Sequence, residues 1–134
     1  MLGLYGNYAQ TYLTLLIIGT TVLFTIPIFF APLTWARLML WKIPEETDLT
    51  LYFGRCLGSM AIVIEIMMLR ALLTGNGLTL AFDFMFGVFI LMIGLHIYGA
   101  VQRIQPITET LEIGFWTFLL VCNAVFYPAA AFAW

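Results

Sequence analysis

Long apolar stretches, broken by short clusters of turn-forming and polar residues, set the plan of this chain. A bilayer core about 30 Å thick needs around 20 residues of helix to cross it. Four runs are that long: Tyr8 to Ala31, Leu49 to Leu73, Leu78 to Gln102 and Thr108 to Phe132. Pro27 lies near the end of the first run and Pro32 closes it. Thr74, Gly75, Asn76 and Gly77 make a tight break, so the third run returns as an antiparallel neighbour of the second. Pro106 separates the third from the fourth. Thr108, with Glu109 and Glu112 in the first turns, reads as a helix start that complements the positive end of the helix dipole. The pattern predicts an all-α integral membrane protein, with four transmembrane helices in one antiparallel bundle spanning residues 1–134.

The segment 32–48 is the only sizeable loop. Leu33 to Lys42 mixes Trp35 and Trp41 with aliphatics, Arg37 and Lys42. It is too short to span, and tryptophan beside cations is what interfacial segments carry, so a short helix or turn lying in the membrane surface is expected. Pro44 to Asp48 forms an acidic lead-in, with Thr47 or Asp48 as N-cap of the second span.

Against this background the charged positions stand out. Glu65 falls in the middle of the second run, Arg70 follows it, and Asp83 interrupts the third. An ionised side chain near the bilayer centre costs roughly 2.5–3.5 kcal/mol on insertion scales, so such a residue has a partner or a task. Counting outward from the break at 74–77 places Arg70 and Asp83 at similar depth, where they are expected to pair. Glu65 lies deeper, level with Asn123, and Arg55, His96 and Glu112 form a second layer towards the other side. Two readings stay open. Such layers hold helices in register, each polar contact contributing about 0.6 kcal/mol on average, or Glu65 belongs to a proton- or ligand-handling site.

Gly54, Gly58, Ala61 and Glu65 share one helical face, and Gly54 to Gly58 is a small-xxx-small pattern that permits close helix approach. Asp83, Gly87, Ile90 and Gly94 make a similar stripe in the third run, and the two stripes are expected to face each other. His96, the only histidine, lies on the side of its helix opposite Asp83 and reads as an interhelical hydrogen-bonding residue. With Glu112 it falls short of the ligand number that zinc takes, and no metal site is predicted. No cofactor is predicted either, although a bound lipid, quinone or pigment would suit the aromatics Phe82, Phe84, Phe86, Phe89, Phe115, Trp116 and Phe118.

Composition narrows the function classes. Of 134 residues, 63% are hydrophobic and 9% charged, against about 45–50% and about 25% in soluble domains. A net charge of −2 with five basic residues excludes nucleic-acid binding by clustered cations. It leaves no polybasic tract for anionic lipid heads. Cys56 and Cys122 both sit in apolar runs and read as small buried hydrophobes. Met1 to Gln10 carries no Lys or Arg, unlike a cleaved signal peptide, so the first run is expected to be a retained span. Arg37, Lys42 and Arg103 lie in loops that should face the cytoplasm, leaving both termini outside, in a bacterial inner membrane. No Ser-His-Asp set, phosphate-binding glycine loop or Cys-x-x-Cys occurs, and no enzyme is expected.

In size the chain is similar to small multidrug-resistance exporters, whose essential carboxylate lies in the first span, but Tyr8 to Ala31 contains no acid. Its general plan also resembles small DoxX-like proteins, which would imply a redox subunit near a quinone or haem, with His96 as the contact. The leading expectation is a non-catalytic accessory or structural subunit of a larger membrane complex. Its partners would be membrane lipids and other transmembrane subunits or a second copy. A small transporter or ligand-binding protein using Glu65 is the competing class.

Overall fold

The computed structural model describes residues 2–128, and among these every regular element is helical. Its elements are a 3₁₀ turn at Gly6–Tyr8, α1 (Ala9–Thr20), a π-helical turn at Thr21–Thr25, α2 (Ile26–Phe30), α3 (Pro32–Leu38), α4 (Asp48–Thr74), α5 (Leu78–Gln102) and α6 (Ile107–Val125). The first four run on as one span, Gly6–Phe30. That span, α4 and α5, at 25, 27 and 25 residues, are long and apolar enough to cross a membrane.

Three such helices among the described residues correct the expected four. The fourth, α6, has 19 residues, two of them glutamates, and gives way to a turn at Phe126. Glu109, Glu112 and Asn123 dilute its apolar character. The expected end of that run at Phe132 lies outside the described residues.

The breaks have local causes. In the π turn the Ile26 N–H donates to the Thr21 carbonyl, five residues back instead of four. Pro27, just past this turn, has no N–H to give the Leu23 carbonyl four residues back, which accepts from the Trp35 indole at 3.0 Å instead. The span ends at Ala31, and Pro32 opens α3. Gly75 caps α4 in the left-handed conformation at φ +71°, which only glycine adopts without strain. At the same end of the bundle, the N–H groups of Gly3 and Tyr5 donate to the carbonyls of Ala124 and Val125, at 2.8 and 2.9 Å. The chain's first residues thus satisfy carbonyls that the end of α6 leaves without intrahelical donors.

The core joins the first span to the α5–α6 pair. Leu13, Phe82, Phe89 and Asn123 are its most completely buried side chains. Tyr12 stacks on Phe126 and tilts against Phe82, with ring centroids 5.2 and 5.7 Å apart, while its hydroxyl donates to the Leu119 carbonyl at 3.3 Å. The first span also meets α4 at that helix's small-residue face. A Cβ at Gly58 would lie 2.7 Å from the Phe29 Cα, and one at Gly54 would lie 2.6 Å from the Pro32 Cβ. The second stripe behaves differently. A Cβ at Gly87 or Gly94 would meet nothing within 4 Å, so these glycines do not face the α4 stripe. Large residues, Phe82, Met85 and Phe89, form the core face of α5 and turn Gly87 and Gly94 outward.

Candidate functional site

Glu65, near the middle of α4, is met by three hydroxyls of the first span. Thr20 and Thr25 approach its Oε1 at 2.9 and 2.7 Å, and Thr21 approaches Oε2 at 2.8 Å. All three threonines stand at or inside the π turn, a distortion common at functional positions. The widened turn and the two carboxyl oxygens let neighbouring hydroxyls converge on one acid. Thr25 is 3% exposed. Among the described residues no Lys, Arg or His forms an ion pair with Glu65.

The proton inventory of this node is informative. Each threonine hydroxyl has one proton to donate. Besides Glu65, the Thr20 hydroxyl reaches the carbonyls of Leu16 and Ile17, at 2.9 and 3.2 Å. Facing an ionised Glu65, all three hydroxyls donate to the carboxylate. Facing a protonated one, Thr20 donates to Leu16 and accepts from the acid. Either form is hydrogen-bonded, and rotation of one hydroxyl separates them.

A second polar site joins the late part of α5 to the start of α6. His96 Nδ1 lies 2.6 Å from the Met92 carbonyl, which can only accept, so Nδ1 carries the hydrogen. That leaves Nε2 facing Glu109 Oε2 at 3.1 Å and Glu112 Oε2 at 3.3 Å. The two acids, three residues apart on α6, occupy one face. Indoles orient both: Trp41 donates to Glu109 Oε1 at 2.7 Å and Trp116 to Glu112 Oε2 at 3.0 Å. The side chains of His96, Glu109 and Glu112 are 4%, 12% and 11% exposed, so the cluster is largely shut off. Gln105 supports it by donating to the His96 carbonyl at 2.9 Å. The room for that amide exists because residue 99 is glycine, whose added Cβ would collide with it.

The polar residues singled out in the sequence are regrouped. Arg70 and Asp83 do not pair. Arg70 is exposed, and Asp83 accepts from the Tyr127 hydroxyl at 2.6 Å. Asn123 is not a partner of Glu65: its Nδ2 donates to the Phe82 carbonyl at 3.0 Å, and its buried Oδ1 has no hydrogen-bond partner among the described residues. His96 and Glu112 do come together, but Arg55 stays exposed on α4. Ala61 is half-buried beside the Gly54–Gly58 face, and both cysteines are free. Sequence reasoning missed Thr20, Thr21 and Thr25 as the partners of Glu65. It also missed Glu109 as a partner of His96, reading it only as a helix-start residue. The available signals were the clustering of Thr20, Thr21 and Thr25 in the apolar second half of the first run, and the Glu-x-x-Glu spacing at the head of α6.

Comparison with protein-family models, with curated protein sequences and with solved structures finds no match to this chain.

Proposed function

We propose that the chain is a non-catalytic, multi-pass subunit of a membrane assembly, and that it holds an exchangeable proton at Glu65. The observation that supports this is the Thr20 hydroxyl, placed between the Leu16 carbonyl and Glu65 so that both protonation forms of the acid keep their hydrogen bonds. An intramembrane acid with no cation beside it is a functional candidate by default. Accessory rather than independent action is favoured because Leu13, Phe82, Phe89 and Asn123 fill the centre of the bundle, which argues against a path through one chain.

Two measurements test the reading. Infrared difference spectroscopy of the detergent-purified protein should show a carboxylic-acid carbonyl band that titrates with pH and disappears in Glu65→Gln. A band that never titrates makes Glu65 a fixed strut. Affinity purification in mild detergent from its native membrane should recover a stoichiometric partner; recovery of the chain alone removes the subunit assignment.

A further inference from the structure

We infer that His96, Glu109 and Glu112 bind a first-row divalent metal ion. With Nδ1 committed to Met92, the Nε2 lone pair and two carboxylate oxygens converge, three acceptors with no donor between them when the imidazole is neutral and both acids are ionised. Such a grouping needs a cation or a proton at its centre.

The distances suit a metal. With metal–ligand bonds of about 2.0–2.2 Å, neighbouring ligand atoms stand about 3.0–3.5 Å apart in tetrahedral or octahedral sites. The two nitrogen–oxygen separations, 3.1 and 3.3 Å, fall in that range, and all three ligand atoms lie within 4.8 Å of one another. Charge also balances: two carboxylates and a neutral imidazole carry −2, which one divalent ion cancels in a site largely shielded from solvent. Among the described residues no Lys or Arg forms an ion pair with either acid.

The surroundings complete a metal-site arrangement. A ligating histidine donates its other ring N–H to a carbonyl, and ligating carboxylates accept further hydrogen bonds. Met92 supplies the first, and the indoles of Trp41 and Trp116 supply the second. One nitrogen and two carboxylates, with no thiolate, suit Zn²⁺, Mn²⁺ or Fe²⁺ and disfavour soft Cu⁺. Three protein ligands leave at least one coordination position open, so the ion can also take a small oxygen ligand. This inference does not depend on Glu65.

Zn²⁺ and Mn²⁺, each alone, are titrated into the detergent-purified protein, and retained ion is counted by elemental analysis after desalting. The expected result is one retained ion per chain for at least one metal, lost in Glu109→Gln/Glu112→Gln and unchanged in Glu45→Gln/Glu46→Gln, which alters only the exposed lead-in to α4. Trp41→Phe, which removes an orienting donor, should weaken binding by about tenfold. No retained ion in folded wild-type protein, or equal retention by a folded Glu109→Gln/Glu112→Gln variant, overturns the assignment and leaves a proton-bridged cluster. If that variant fails to fold, the Co²⁺ derivative of the wild type decides: ligand-field bands of a nitrogen–oxygen site support the assignment, and the spectrum of free aqueous Co²⁺ overturns it.

Discussion

The indole N–H of Trp41 donates to Glu109 across 68 positions of sequence, at 2.7 Å. It ties the loop after α3 to the first turn of α6, and the Thr108 hydroxyl reinforces the tie by donating to the Met39 carbonyl. The connecting segment is therefore fastened to the bundle at the end where the His96 cluster lies. Because Trp41 is 38% exposed, its bond is partly replaceable by water, and Trp41→Phe should lower stability by about 1 kcal/mol or less. Thermal unfolding in detergent checks this; a loss of several kcal/mol would mean that the ring, not the bond, holds the loop.

Gly58 and Gly87 form a matched pair. Gly58→Ala places a methyl 2.7 Å from the Phe29 backbone and should cost about 1–3 kcal/mol by overpacking. Gly87→Ala meets nothing and should stabilise α5 by roughly 0.5–1 kcal/mol through the lost flexibility of glycine. Denaturant unfolding of both variants in the same detergent reads the difference in sign.

The Glu65 node predicts a coupling. Thr25→Val removes one donor and should cost about 0.6–1.7 kcal/mol, the range measured for hydrogen bonds in membranes. Most of that cost should vanish in a Glu65→Leu background, which removes the acceptor. Four stability measurements close the cycle, and simple additivity would show that Thr25 acts by packing alone.

Asp83 and Arg70 should respond independently. Tyr127→Phe removes the hydrogen bond to Asp83 and is expected to cost about 1 kcal/mol. Arg70→Gln, at an exposed position near the end of α4, should change stability by no more than about 0.5 kcal/mol. A larger loss in Arg70→Gln that disappears in an Asp83→Asn background would restore the expected ion pair.

The sequence made depth legible but not direction. Hydropathy, the break at 74–77 and Pro106 locate α4, α5 and the head of α6 to within a few residues. Counting along helices also placed His96 and Glu112 at one level, where they meet. Depth alone says nothing about which way a side chain points around its helix. Arg70 and Asp83 share a level but turn to different surroundings, and Glu65 turns to the first span instead of to Asn123. Long helices that are apolar nearly all round carry little amphipathic signal to fix that angle. The π turn, which gathers the threonines, leaves no mark in hydropathy.

That turn also changes the phase of the first span. An α-helix advances by about 100° per residue, and one residue absorbed in a wider turn re-aims everything after it by roughly that angle. Before the turn, Ala9, Tyr12, Leu13 and Leu16 face the core shared with α5 and α6. After it, Phe29 is delivered onto the glycine face of α4. An unbroken helix of the same sequence would keep the first interface and rotate the second away. Removing one residue between Thr21 and Thr25 would therefore close the turn and keep both interfaces in phase, dispersing only the threonines around Glu65, whereas adding one residue elsewhere in the span would act as an angular error felt by α4.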